Sequence, residues 1–546
     1  MRVQDEFSLI DIEIMWSRMI SIADEMWSTL FKTAVSTVIG AAQDFGCEIL
    51  DTSGGSLAHS NRSMPVFNVV MPTVVRAVLN RFPVADMQPG DVYVTNDPWL
   101  CAGHLDDIAI VTPVFYRGSI VAFTMSVAHA SSIGGSLTSR TVRDIYEEGL
   151  RIPLVKLYDA GELNETAFAF IGENVRTPDM VLTDVEAQLT ANGVGARRIE
   201  AFLEEYRLSN LDTLAETVQR RSEGAMRRAI ETVPDGVYRH EVWADGIDDP
   251  VRLRCRVTVD GDHINVDYSG SDPQQIRGGI NCTMTYTRGH TVYPLKCLLS
   301  PTIPANEGTY RPITAHAPKG TVLNCVPPAS VGSRTHIGWH VHELLFGALE
   351  PVLPRRVQAG NGFLHYVYVY GEQEDKTFYN SHFFVAGGRG AGKGRDGIGR
   401  NGFPSSARNV PVEVFELRTP VLVRRRALQP NSGGAGRWRG ACGQLLEFGV
   451  LPGYPRPVSL YFDPDRLRTP APGFAGGEDG LLFQIAIDGR VLSFEEIASG
   501  QFTLSSPADL IQVQVPGGGG YGPKEQRDPE LIAEDERWVA PPPNER

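Results

Sequence analysis

Between residues 8 and 40, Met15, Met19, Ile22, Met26 and Leu30 recur every three or four positions, with few breakers before Gly40. That spacing predicts one amphipathic helix over the whole stretch. The strand-like run DFGCEILD follows, and TSGG turns it. Pro72 is placed to open a second helix through Arg81, because proline suits a first turn. From Asp91 the period shortens. DVYV, DIAIVTPVFY and SIVAFTMSVAH read as strands, the last two joined by Arg117-Gly118 as a hairpin. Residues 180–230 return to a helical pattern, charged on one face and carrying Val, Leu and Ile on the other.

Past Gly236 the helices thin out. HEVWADGI, VRLRCRVTVD and HINVDYSG alternate as strands do, and helical segments return near 287–299 and 336–350. From 361 the chain reads as glycine- and proline-rich β structure ending in PGGGGYGP, and KEQRDPELIAEDERWVAPPPNER reads as a short helix and a tail. The expected class is α+β, a mixed α/β multi-domain chain. Its expected divisions are an N-terminal helical region with the hairpin (1–235), a central α+β region (236–360), a glycine-rich β region (361–525) and a tail (526–546).

Composition narrows the possible roles. With 546 residues, 42% hydrophobic and 21% charged, the chain is a soluble globular type too long for one ordinary core. A net charge of −14, with no basic stripe studded with aromatics, argues against nucleic acid. No apolar run approaches the ~20 residues of a membrane span. The start, MRVQDEFSLIDIEIMW, mixes acids into its apolar residues and lacks a secretory pattern, so the expected compartment is the cytoplasm. The seven cysteines (47, 101, 255, 282, 297, 325, 442) are odd in number and never spaced CxxC. They fit neither a disulfide framework nor a thiolate zinc site, and are expected to be small buried hydrophobes.

The stretch GHLDDI puts His104, Asp106 and Asp107 where a loop enters a strand. If Arg117 and Gly118 form a two-residue turn, Tyr116 faces Ser119 and Asp106 faces His129. A three-residue turn moves the register by one and sets Asp107 opposite His129. Directly opposed side chains lie ~5 Å apart, so His129 falls beside the acid pair in either register. Imidazole with carboxylate suits zinc, manganese or iron better than an all-oxygen magnesium or calcium site. A hydrogen-bonded His–Asp pair at a sheet edge accounts for the same residues equally well.

Other constellations carry less. GGRGAGK at 387–393 satisfies the opening of a phosphate-binding loop, but Gly394 stands where Ser or Thr should bind Mg²⁺, and RDGIGRNG cannot sustain the helix such a loop needs. A structural turn is the expectation. His336 and His340 could share a helical face, with His342 and Glu343 beside them, but the order is not that of a metalloprotease, and helix packing is the plainer reading. Glu147 and Glu148 precede Gly149, and Glu148 is the candidate general base, provided it reaches the attacking water. No GxSxG occurs and no cysteine has an obvious histidine partner, so nucleophilic catalysis is not indicated.

GDVYVTNDPWLCAGHLDDIAIVTPVF, followed by VAFTMSVAHASSIGG, resembles the signature of the hydantoinase B/oxoprolinase family. The likeness continues in YEEGLRIPLVKLYDAGELNE, GGINCTMTYTRGHTVYPLKCLL, RNVPVEVFELRTPVLVRR, NSGGAGRWRGACGQ and PGGGGYGP. It implies one divalent transition metal, zinc or manganese, held by Asp44 in QDFGCEILD, His104 and Asp107 in GHLDDI, and His129 in VAHASS. The family usually has proline where this chain has Asp106, which is expected to be solvated or to stand beside the ligands. Glu148 matches the family's EGL motif. The resemblance further implies a B-type subunit of a hetero-oligomer that opens a cyclic amide. ATP would be used by a hydantoinase A-type ATPase partner of actin-like fold, which phosphorylates the amide oxygen. TNDPW and HFFVAGGRGA resemble the carboxylase branch, so the metal subunit of an acetone- or acetophenone-type ketone carboxylase is the alternative. A metal-stabilised scaffold without chemistry is a third reading.

Overall fold

The methionine-lined helix forms, but ends early. In a computed structural model that describes residues 8–372, 378–399, 402–498 and 500–539, it spans Leu9–Thr33 and starts from a capping box between Ser8 and Asp11. Val35 then donates its N–H to Asp184 Oδ1 at 2.8 Å, and Ser36 caps a separate turn, Thr37–Gly40. A serine that satisfies the backbone outside the helix stops it there. All five spaced residues are buried, in a cluster with Phe45, Ala128 and Phe202. The next helix also departs from expectation: it opens at Pro65, not Pro72, and runs Pro65–Arg81 with Pro72 inside it. Its Val66, Val69, Val70, Val74, Val75 and Val78 are buried, and that packing offsets the hydrogen bond Pro72 cannot donate. The N-terminal residues before Ser8, and those of the tail beyond Val539, lie outside the described residues.

Contacts divide the chain into two units. One holds the chain up to Val237 with Arg256–Ser269 and Pro273–Gly338; the other holds Tyr238–Cys255, Gly270–Asp272 and the chain from Trp339. The first is built on a sheet of seven strands: β1 (Phe45–Leu50), β2 (Ser56–His59), β3 (Val92–Thr95), β4 (Asp107–Tyr116), β5 (Ser119–His129), β6 (Val155–Asp159) and β7 (Glu162–Leu163), in the order β2-β1-β5-β4-β3-β6-β7. Neighbours are antiparallel throughout. Helices Leu9–Thr33 and Pro178–Tyr206 pack on one another and on these strands. The helical pattern of 180–230 breaks at Arg207, which is left-handed with φ 55°, and resumes at Asp212–Ile230. Because β5 runs antiparallel to both β1 and β4, the residues just before β1, at the start of β4 and at the end of β5 meet at one end of the sheet. Asp44, Asp107 and His129 hold those three positions.

The second unit explains the glycines. GGRGAGK does not run into a helix, the next one among the described residues being Val412–Arg418; it is one of several extended segments stacked backbone to backbone. Gly362 donates to the Gly388 carbonyl at 2.8 Å, Gly388 to Pro516 at 2.9 Å, Gly518 to Ala441 at 3.0 Å and Gly434 to Gly518 at 2.8 Å. A side chain on Gly518 would put its Cβ 2.2 Å from the Arg389 backbone. The same unit holds a four-stranded and a five-stranded sheet. The α+β class is therefore correct. Among the described residues no helix is long and apolar enough to cross a membrane.

Candidate metal centre

The β4–β5 hairpin uses both registers considered from the sequence. Arg117 (φ 51°) and Gly118 (φ 84°) make a two-residue turn that pairs Tyr116 with Ser119, the left-handed geometry such hairpins favour. The register then slips at Val114/Phe115, so that Val114 faces Ala122 and Val121 is the extra residue. Beyond this bulge Asp107 pairs directly with His129. One extra residue thus carries a histidine from one acid to the next.

His104 reaches the pair from the preceding turn. Its Nε2 lies 2.9 Å from Asp107 Oδ2 and its Nδ1 3.1 Å from Asp106 Oδ2, while His129 Nδ1 lies 3.5 Å from Asp107 Oδ1. The two imidazole rings are 5.0 Å apart, and one ligand atom from each of His104, Asp107 and His129 lies within 4.8 Å of the others. Asp44 joins through its backbone, its carbonyl accepting the His129 N–H at 3.1 Å. Its carboxylate senses His129, Asp107 and His104, and its Oδ1 is buried without a hydrogen-bond partner.

These residues fit a cation. Neither ring nitrogen of His104 makes an aligned hydrogen bond, despite its short approaches to carboxylate oxygens, and Asp107 Oδ1 is likewise unpartnered. Atoms each ~2.1 Å from one ion stand ~3.0–3.4 Å apart, and the 2.9 Å and 3.5 Å separations of His104 and His129 from Asp107 are compatible with that spacing. With the imidazoles neutral, Asp44, Asp106 and Asp107 set against Arg334 leave a charge of minus two, which a divalent ion cancels. Without one, protons serve instead. Burial would lower His129, but Asp107, Asp106 and Asp44 together push it up to about 9. Burial raises Asp44, while the charges of His104 and Arg334 overcome burial at Asp107 and hold it well below the carboxylate range. Asp106 stands at His104 Nδ1, about a third exposed, where a carboxylate orients a ligating imidazole.

Arg334 was not legible in the sequence. Its Nη2 donates to Asp107 Oδ2 at 2.9 Å and its Nε to the Ala102 carbonyl at 2.6 Å, and its guanidinium lies 4.5 Å over the Tyr286 ring. Gly103 makes room for it: with φ +91°, a Cβ there would stand 2.8 Å from Arg334 Cδ. The only local signal is one arginine among the small residues of SVGSRT. The same loop holds Glu148, whose Oε1 accepts the N–H groups of Val331 (2.8 Å) and Gly332 (2.7 Å) while its Oε2 is buried without a partner. Burial raises the Glu148 carboxyl to about 8, the two N–H groups working against it. A cleft of about 1020 Å³ opens along the Ile145–Arg151 segment.

The remaining candidates fall elsewhere. Glu147 is ion-paired with Arg143 at the surface. His336 lies on the turn Thr335–Gly338 and His342 on the helix Val341–Leu349, with His340 capping the latter, so the expected single helix is broken and the shared face of His336 and His340 does not form. His340 Nδ1 lies 3.0 Å from Glu343 Oε2, and His342 Nδ1 faces the Trp339 carbonyl at 2.5 Å, both as buried packing groups. Five cysteines are buried as expected; Cys297 is exposed and Cys442 partly so.

Residues 8–524 match the hydantoinase B/oxoprolinase family model. A protein of Pseudomonas sp. (strain NS671), named as the B component of a D-/L-hydantoinase, is 31% identical over 96% of this chain and 92% of its own. 5-Oxoprolinase 1 of Arabidopsis thaliana is 28% identical over 94% of this chain, which spans only 42% of that longer protein. The structure of the ATP-dependent caprolactamase from Pseudomonas jessenii superposes with a TM-score of 0.89 at 26% identity, covering 97% of this chain and 94% of that one. Acetone carboxylase shares the fold, with a TM-score of 0.85 at 18% identity over 98% of this chain and 78% of its own.

Proposed function

The chain belongs to the hydantoinase B/oxoprolinase family, and on that premise we propose that it is the metal-binding subunit of an ATP-dependent enzyme opening a cyclic amide. Its partner would be a hydantoinase A-type ATPase subunit that activates the amide by phosphorylation. The observation that carries this reading is the convergence of His104, Asp107 and His129, with Asp44 beside them, around unpartnered buried ligand atoms. His104, Asp107, His129 and Asp44 would hold one zinc or manganese ion. A divalent cation held there supplies Lewis acidity and positive charge for an oxygen gaining negative charge.

The chain's own residues do the rest. The charges of His104 and Arg334 overcome burial at Asp107 and hold it ionised, so it is a full charge at neutral pH. Asp106 Oδ2, 3.1 Å from His104 Nδ1, would orient that ring once Nε2 is a ligand. Glu148, anchored at Oε1 and free at Oε2, has a proton affinity matched to neutral pH, which suits it to take a proton from attacking water or return one to the departing nitrogen. Relatives named for hydantoinase, 5-oxoprolinase and caprolactamase support amide opening. Ketone carboxylation, whose likeness here is one of fold, stays second.

Elemental analysis tests the proposal. The purified chain should retain about one equivalent of zinc or manganese through gel filtration, as a site of several protein ligands does, and His104→Ala should lose it. Full metal occupancy in that variant would remove the basis of the assignment.

A further inference from the structure

Asp107 stands between the two imidazoles with an oxygen toward each. Its Oδ2 lies 2.9 Å from His104 Nε2 and its Oδ1 3.5 Å from His129 Nδ1. A carboxylate so placed could offer a cation both oxygens or only one. The difference matters for the choice of ion. Calcium gathers six to eight oxygens and accepts two from one carboxylate, whereas zinc is content with about four ligands.

The two oxygens are not equivalent, and Arg334 makes them so. Its Nη2 donates to Oδ2 at 2.9 Å, while Oδ1 has no hydrogen-bond partner. A cation closing on Oδ2 would compete with that N–H and approach a positive charge; at Oδ1 it would stand farther from the guanidinium.

The guanidinium is not free to withdraw. Its side chain is 7% exposed, its Nε is tied to the Ala102 carbonyl at 2.6 Å, and its plane lies 4.5 Å over the Tyr286 ring. The Arg334 carbonyl accepts the Gly338 N–H at 2.9 Å and the Cys282 thiol at 3.3 Å, which fixes the backbone as well. Lysine would keep the charge but not the planar fork that serves the Ala102 carbonyl and Asp107 together.

We propose that Arg334, steadied on Tyr286, is a positioning residue that limits Asp107 to one ligating oxygen, Oδ1, and so tunes the cluster to a transition-metal ion of few ligands against calcium. This role rests on the reading of the cluster as a metal centre and deepens it.

The full-length chain, stripped by a chelator and reloaded with an equimolar amount of cobalt(II), tests this by visible absorption, which weakens as cobalt gains ligands. Arg334→Met and Arg334→Lys should each bind cobalt yet absorb more weakly than the parent. In both, the ratio of zinc to calcium affinity, read by chelator competition, should fall ~10–100-fold, the scale on which partners of a metal ligand act. Tyr286→Phe, which keeps a ring under the guanidinium, should match the parent in both readouts. A parent-like spectrum and ratio in either Arg334 variant would overturn the role, Arg334→Lys by showing that charge alone suffices. Failure of both variants to bind cobalt, with the parent loaded, would also overturn it, because Arg334 would then hold the ion rather than set its ligand number. A parent that takes up no cobalt would instead remove the metal centre itself, and the role of Arg334 with it.

Discussion

Glu148 and Arg334 are tied together through one loop. Its Oε1 is fixed by the N–H groups of Val331 and Gly332, and Arg334 three residues on reaches Asp107. Burial raises its pKa, the Gly332 and Val331 N–H groups lower it, and Asp106 and Arg334 act in opposite directions; burial dominates and pushes the carboxyl up to about 8. The folded chain therefore holds this proton more tightly than the unfolded chain. The resulting stability is whole below about 4.5 and is lost as pH rises through about 8. After chelation of the metal, Glu148→Gln should gain melting temperature relative to the parent as pH goes from 4.5 to 8; a constant difference across that range would show the carboxyl to be unperturbed. In the assembled enzyme the same variant should keep its metal yet open amide ~100-fold more slowly, the scale of losing a general acid–base. Most of the cluster is foreshadowed in GHLDDI and VAHASS, because hairpin pairing is local and countable. The bulge that chooses Asp107 over Asp106 leaves no mark in the sequence. Nor does Arg334, which meets Asp107 from 227 residues away.

At the scale of elements, periodicity located the strands and most helices but not their ends. Gly40 and Pro72 looked like boundaries; the actual ones are Ala34–Ser36 and Pro65, set by the tertiary bond from Val35 to Asp184 and by a valine-rich face that keeps Pro72 inside a helix. The glycine-rich segments are the opposite case. Their composition announces backbone proximity, but which segments stack depends on partners up to a hundred residues or more apart, as in Gly388 to Pro516 and Ala391 to Gly519. This stacking accounts for GGRGAGK without a nucleotide, and Lys393 is exposed at its end. Lys393→Ala should leave ATP turnover by the assembled complex nearly unchanged. Tight ATP binding by the isolated chain, abolished in that variant, would mean that the segment is a phosphate loop after all.

For the molecule as a whole, the proposed division of labour gives activation of the amide to the partner and its opening to the cluster at the end of the seven-stranded sheet. Asp107 is the residue through which the two steps can be separated. It is buried, paired with His129 across the hairpin and contacted by both His104 and Arg334, and Asp107→Asn keeps its shape while removing its charge. The decisive measurement is the ratio of ATP hydrolysed to amide opened by the complex carrying this variant. We predict that substrate-dependent ATP hydrolysis persists while amide opening falls at least ~100-fold, as when a charge stabilising the transition state is lost. A fall of both rates in fixed proportion would contradict this division, because the cluster would then not act after activation.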